Sequence, residues 1–183
     1  QLQPEVPSFS DDTGAGNELQ VNADLANGII QFPWGHGLSY YNEDHSFSFA
    51  QVACRLTGSS CQVQAISGGG VIRNWKQPLG AMTVCDMTNR TLLTNGTSAE
   101  NMWNDTLFVP HAVVIGLGTI DHNMGVFRKA SLADRFVARY AEYVSQMSAA
   151  YGGRTHFILA CGPQNNGYCA ALNKVLSVVT KRG

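Results

Sequence analysis

The chain has 183 residues, enough for one domain with a real core, and its 44% hydrophobic and 14% charged residues suit a globular protein low in charge. Twelve Lys and Arg against thirteen Asp and Glu leave a formal net charge of -1 at pH 7. With no basic run in the sequence, this argues against nucleic acid or an anionic membrane surface as partner, and no apolar stretch approaches the ~20 residues of a membrane-spanning helix.

Residues 1–27 are polar and rich in Gly, Asp and Asn, and read as an extended arm or irregular cap. The chain starts at Gln1 without Met, as a processed mature protein would. Gly28-Ile29-Ile30-Gln31-Phe32 forms a plausible first strand ended by Pro33 and opens a domain expected to run over 28–183. Between Ser46 and Leu56, apolar residues at Phe47, Ala50, Val52, Ala53 and Leu56 predict a helix ended by Gly58. Cys61 to Ile66 alternates and enters a Ser-Gly-Gly-Gly turn, which predicts a second strand.

Residues 74–108 show no sustained period and read as a long surface excursion. It contains three N-glycosylation acceptors within eighteen residues, at Asn89, Asn95 and Asn104. The apolar run from Ala112 to Leu117 predicts a strand buried on both faces, the pattern of a parallel sheet. It stops on Gly118-Thr119-Ile120-Asp121, and residues just past such a strand lie at the carboxyl edge of the sheet, where open α/β folds place their ligands.

Ser131 and Asp134 make an imperfect capping box for a helix whose stripe is Leu132, Phe136, Tyr140, Val144 and Met147, closed by Gly152-Gly153. That stripe reads as core packing. His156 to Ala160 is a further buried strand, and Tyr168 to Thr180 a last helix. The alternation of strands and helices predicts a parallel sheet with helices on both faces.

Four of the five cysteines fall into close pairs. Cys54 and Cys61 flank a Gly-Ser-Ser turn, and Cys161 and Cys169 flank Gly-Pro-Gln-Asn-Asn-Gly. Each pair could close a short loop worth about 2–3 kcal/mol; the other reading is reduced, buried cysteines. Together with the acceptor triplets, the disulfide reading points to a secreted, extracellular protein. Neither pair has a His partner at zinc-site spacing, so no metal and no cofactor is expected. Cys85 is left over, as a free thiol or as a bridge to another chain.

The stretch Val113-Val114-Ile115-Gly116-Leu117-Gly118-Thr119-Ile120-Asp121 resembles the third motif of the SGNH (GDSL-type) hydrolases, whose usual ending is Gly-Thr-Asn-Asp. Ser67-Gly68-Gly69-Gly70-Val71-Ile72-Arg73-Asn74 resembles the second motif, in the form used by secreted carbohydrate esterases of family two. The resemblance runs from about Asn42 to Val175. It implies an α/β, three-layer flavodoxin-like fold with a parallel sheet. It also implies a C-terminal strand and helix, joined by an Asp-x-x-His motif, that this sequence lacks. A sheet without its last strand has an open edge, expected to be covered by a cleaved C-terminal remainder or by another protein chain, with Cys85 as a point of linkage.

Such an esterase attacks an ester carbonyl with a Gly-Asp-Ser serine activated by a C-terminal histidine. The serine amide, a glycine amide of the second motif and the asparagine of the third then hold the oxyanion. Here Gly68 matches the oxyanion glycine, with Gly69 or Gly70 serving if the turn is shifted, and three glycines also simply permit a tight turn. Arg73 and Asn74 match the same motif and are expected to organise the following loop. Ile120 stands at the asparagine position and can donate no hydrogen bond. Thr119 and Asp121 are expected to hold their own turn through side-chain to backbone bonds.

His122 suggests a base but reads more simply as a solvated loop residue. The first motif is missing: Pro33-Trp34-Gly35-His36-Gly37-Leu38-Ser39 stands where it belongs, with Ser39 the nearest hydroxyl and a weak candidate for the nucleophile. His36 and His45 read as structural. A cleft lined by Trp34 or Tyr40 would favour sugar stacking. The expectation is a secreted glycoprotein, catalytically inactive in this chain, that binds glycan or serves in an extracellular assembly. The alternative is a carbohydrate O-deacetylase completed by a relocated serine or a companion chain.

Overall fold

The computed structural model describes residue 46 and residues 48–91, 101–162 and 165–181. The arm at 1–27, the first strand at 28–32, and Trp34, His36, Ser39, Tyr40, His45 and Asn95 lie outside these residues. The chain divides into two compact units, Gln1–Ser67 and Gly68–Gly183.

In the first unit, helix α1 spans Phe49–Thr57. The Ser48 side chain caps it by accepting from the Gln51 N–H, and Gly58 closes it in a left-handed turn. A disulfide joins Cys54 near its end to Cys61. Residues 61–66, where a strand is expected, are not assigned to a strand.

The second unit is built around two parallel strands, β1 (Ala112–Ile115) and β2 (His156–Leu159), with Ala112 opposite His156 and Ile115 opposite Leu159. Between them run the short helix α3 (Thr119–Asn123), a 3-10 turn at Val126–Arg128 and the long helix α4 (Ala130–Ala150). Helix α5 (Cys169–Thr180) follows β2 and packs on α4. Ahead of β1, the excursion read from the sequence as a long surface segment contains helix α2 (Val84–Met87), an antiparallel bridge between Arg90 and Met102, and a 3-10 turn at Asp105–Leu107. Helix α2 is a single turn nucleated by Asp86, whose Oδ2 accepts from the Thr83 N–H and hydroxyl at 2.8 Å. One turn is too short to leave a period in the sequence.

The apolar stripe of α4 does what its spacing predicts. Phe136, Tyr140 and Val144 are buried and join Ile115, Val126, Tyr168, Leu172 and Val175 in the core, with Leu132 and Met147 at its margin. Phe127, Phe136 and Tyr140 meet edge to face, at 4.9 and 5.5 Å between ring centroids. The helix begins at Ala130 with Lys129 at the cap position and no side-chain cap bond, so Ser131 and Asp134 do not form the expected box. The preceding 3-10 turn delivers the chain into the helix two residues early, at the cap position Lys129 instead of Ser131.

The strands are not buried on both faces. Val113, Ile115, Phe157 and Leu159 face the core, whereas Val114 is 55% and Ile158 53% exposed. An unbroken apolar run cannot say which of its faces has a covering layer. Cys85 is 7% exposed within the core. Burial pushes its thiol up from 9.0 to about 12, partly offset by Arg139. A sulfur so placed is not presented for a bridge to another chain, which corrects that expectation.

Candidate functional site

Because β1 and β2 are parallel and in register, both release their chains at one edge of the sheet. Gly116 to Asn123 leaves β1 there, and Ala160 to Tyr168 leaves β2 beside it, with the Ala160 N–H bonded to the Ile115 carbonyl at 2.9 Å. A third segment, Gly68 to Asn74, is brought to the same edge by one side chain. Asp121, fully buried, accepts from the Val71 N–H at 2.8 Å, the Ile72 N–H at 2.9 Å and the Arg73 N–H at 3.1 Å. Burial raises the Asp121 carboxyl above the ordinary carboxylate range, against the pull of these three donors. Asp121 therefore holds a loop some fifty residues away as well as bonding its own backbone N–H, the local kind of bond expected from the sequence.

The rest of the loop is fastened by Asn74, whose Oδ1 accepts from the Gly70 N–H at 3.0 Å. Its Nδ2 donates to the Met82 carbonyl at 2.7 Å and to Gln77 Oε1 at 2.8 Å. Arg73 adds a bond from Nη1 to the Met124 carbonyl at 3.2 Å. The expected loop-organising roles of Arg73 and Asn74 are therefore present. A Cβ at Gly70 would run into the Arg73 carbonyl, so the turn closes only around glycine there. With the Gly70 amide engaged by Asn74, this network uses the amides from Gly70 to Arg73 and leaves out those of Gly68 and Gly69. Gly68 takes a positive φ of 73°, and its carbonyl accepts from the Trp75 N–H at 2.9 Å. Trp75 is half-buried, with Lys76 Nζ 5.8 Å from its ring centroid. Ser67 is exposed.

On the β1 side, Gly118 has φ 128°, and a Cβ there would stand 2.6 Å from the ring of Tyr168. Thr119 Oγ1 lies 3.3 Å from the Tyr168 hydroxyl, which also accepts from the Gly162 N–H at 3.3 Å. Tyr168 thus joins the two strand-exit loops from a fully packed position. Tyr140 supports the same edge from beneath: its hydroxyl donates to the Ile115 carbonyl at 3.3 Å and is also bonded by the Leu117 backbone, and burial drives its pKa far upward.

Ile120 is half-buried in α3 between these anchors and brings no polar atom to the site. His122 is not the solvated residue expected of a loop. It is half-buried, with Nδ1 2.8 Å from Asn165 Nδ2 and its ring 6.0 Å from Phe127. The Asn165 amide is oriented by its Oδ1, which accepts from the Gly167 N–H at 2.7 Å. Asn165 Nδ2 therefore donates, and His122 Nδ1 accepts. The disulfide between Cys161 and Cys169 closes the loop that carries Asn165.

Sequence reasoning missed Tyr168, Tyr140 and Asn165 as parts of this edge. Tyr140 reads as a core aromatic, Tyr168 as the start of the last helix and Asn165 as part of the turn between two cysteines, and no spacing marks a side chain that acts across the fold. Among the described residues no group of three or more His, Cys, Asp and Glu could hold a metal ion. No described helix is long and apolar enough to cross a membrane.

No protein-family model and no curated protein matches this chain by sequence. Solved structures do match in fold. A carbohydrate esterase whose active site is described as having divergent catalytic and non-catalytic binding functions aligns over 91% of this chain, with a TM-score of 0.70 and 20% identity. A family two carbohydrate esterase from Clostridium thermocellum, in complex with cellohexaose, aligns over 87% with a TM-score of 0.70 and 24% identity. One from Cellvibrio japonicus aligns over 87% with a TM-score of 0.67 and 16% identity. The chain spans 54%, 48% and 46% of these proteins, about half the length of each. The fold is that of the SGNH-type carbohydrate esterases, covered in part.

Proposed function

We propose that this chain is a secreted, N-glycosylated carbohydrate-binding protein on an esterase fold, whose hydrolytic site is inactive in this chain. The observation that carries the reading is the contrast within one sheet edge. The loop scaffold is held by Asp121 and Asn74, while Ile120 occupies the position where the resembled family has an oxyanion donor. Loss of one such donor typically costs about 10²–10³-fold in rate. Retaining the scaffold without the chemistry suits a site used for binding. Trp75 beside Gly68 offers an aromatic surface of the kind on which sugar rings stack. One structural neighbour is described as combining catalytic with non-catalytic binding functions in its active site, and another holds cellohexaose. Two disulfides suit an oxidising compartment.

A second reading, a subunit of an extracellular assembly, is favoured by the exposure of Val114 and Ile158 side by side on one sheet face. The active alternative, an O-deacetylase, requires a nucleophile such as Ser39.

Two measurements on one preparation test the proposal: titration calorimetry with cello- and other oligosaccharides, and labelling with a fluorophosphonate serine probe. Sugar binding without labelling, lost in Trp75→Ala, is expected. A one-to-one adduct on a serine of this chain, abolished by Ser39→Ala, would establish the esterase instead.

A further inference from the structure

The excursion between the second motif and β1 has a feature that the sheet-edge site does not use. The Arg90–Met102 bridge brings its two limbs together, with the Thr91 N–H bonded to the Asn101 carbonyl at 2.8 Å and the Trp103 N–H to the Asn89 carbonyl at 2.7 Å. Two acceptor asparagines, Asn89 and Asn104, therefore stand at the base of one ladder, both exposed. They differ in their surroundings.

Asn104 caps the 3-10 turn at Asp105–Leu107, and its Oδ1 accepts from the Thr106 N–H at 3.1 Å and the Thr106 hydroxyl at 2.7 Å. The carboxamide oxygen is thereby fixed on Thr106, on a residue that is itself exposed. At Asn89 the matching threonine is engaged elsewhere: the Thr91 hydroxyl bonds Asn101 at 2.9 Å to Oδ1 and 3.1 Å to the carbonyl oxygen. Close to Asn104 along the chain, three apolar side chains are exposed. Met102 is 39% exposed, Leu107 71% and Val109 49%, and the Leu107 N–H bonds the Asn104 carbonyl at 3.0 Å, within a single turn. Exposed apolar side chains this close together in sequence call for a cover.

We infer that Asn104 carries an N-linked glycan whose first sugars lie over Met102, Leu107 and Val109. The inference rests on the reading of the chain as a secreted protein. The bond formed joins Asn104 Nδ2 to the anomeric carbon of the first sugar, with the lipid diphosphate of the donor as leaving group and one proton lost from the amide. The carboxamide becomes a substituted amide that keeps its oxygen on Thr106. Sugar rings present C–H faces as well as hydroxyls, so the cover is apolar toward Leu107 and polar toward water.

The full chain, secreted from mammalian cells behind a cleavable leader and carrying Asn89→Gln and Asn95→Gln, isolates the site. The expected result is one glycan, released by an N-glycosidase with conversion of Asn104 to Asp. It should be retained in Thr106→Ser and lost in Thr106→Ala. A bare Asn104 in material whose two disulfides have formed overturns the inference and leaves the secretory reading standing. A bare Asn104 with all cysteines reduced removes both.

The covering role is read on the folded glycoprotein, so that no variant need fold without its sugar. Complete enzymatic release should raise hydrophobic-dye fluorescence and self-association, trimming to the first sugar should raise them less, and Leu107→Ser with Val109→Thr should suppress the rise. Dye binding unchanged by complete release overturns the packing of the glycan on this surface.

Discussion

Replacing Asp121 with alanine is the sharpest test of how this sheet edge is built. The substitution leaves the Val71 and Ile72 N–H groups without an acceptor at residues only 1% and 4% exposed. At about 1–3 kcal/mol for each buried donor left unpaired, the gross loss is roughly 2–6 kcal/mol. Arg73 is half-buried, so water can replace its bond. Removing a carboxylate that burial disfavours returns part of the cost, and a net loss of about 3 kcal/mol is expected, a large share of the ~5–15 kcal/mol of a typical domain. Asp121→Asn keeps an acceptor for Ile72 and Arg73 but turns an N–H₂ toward the Val71 N–H, so its cost falls lower, at about 1–3 kcal/mol. Urea unfolding gives the ranking, and hydrogen exchange gives the place: protection at Val71 and Ile72 should drop before that of α4. A midpoint for Asp121→Ala equal to wild type, or unchanged exchange at these two amides, would refute the reasoning.

Other outcomes follow from the same structure. Burial raises the thiol of Cys85 from 9.0 to about 12 and the hydroxyl of Tyr143 from 10.0 to about 12, so both favour the native state while protonated. Their contribution is complete below pH 9 and is lost as the pH rises toward 12, with Cys85 accounting for roughly 4 kcal/mol at about 1.36 kcal/mol per unit; unfolding midpoints against pH should fall across this window and fall less in Cys85→Ala. Gly118→Ala forces a Cβ onto the Tyr168 ring at a φ of 128°, and a loss of about 2–3 kcal/mol is expected in thermal unfolding, against no change if the turn can relax. Cys161→Ser with Cys169→Ser opens a loop of 8 residues' separation, worth about 2.5 kcal/mol by chain entropy. The same pair of substitutions should loosen the Asn165–His122 contact, seen as a change in the His122 ring resonances; unaltered resonances would show that the loop needs no clasp.

Helix existence was legible wherever the apolar period was long. The stripe of α4 appears in the sequence at the spacing that buries Phe136, Tyr140 and Val144, and α1 and α5 end where Gly58 and Thr180 lead one to expect. Both disulfides were legible because short separations across turn residues bring sulfurs together locally. The capping of α4 was misread because a 3-10 turn, too short for any period, precedes it. His122 was misread for a related reason: its partner Asn165 lies across the sheet edge.

What the sequence by itself determined is therefore local and periodic: element type, the parallel-sheet class, turn chemistry and the polar residues that follow each strand. These depend on residues within a few positions of one another, or on a motif's own order. Only the tertiary structure decided that Asp121 serves the 71–73 loop, that Tyr168 joins two strand exits, and that Cys85 is sealed within the core. It also decided that Val114 and Ile158, on one face of the two strands, are exposed. Each of these depends on which distant segment packs alongside, and a run of side chains carries no record of what stands against it until the chain has folded.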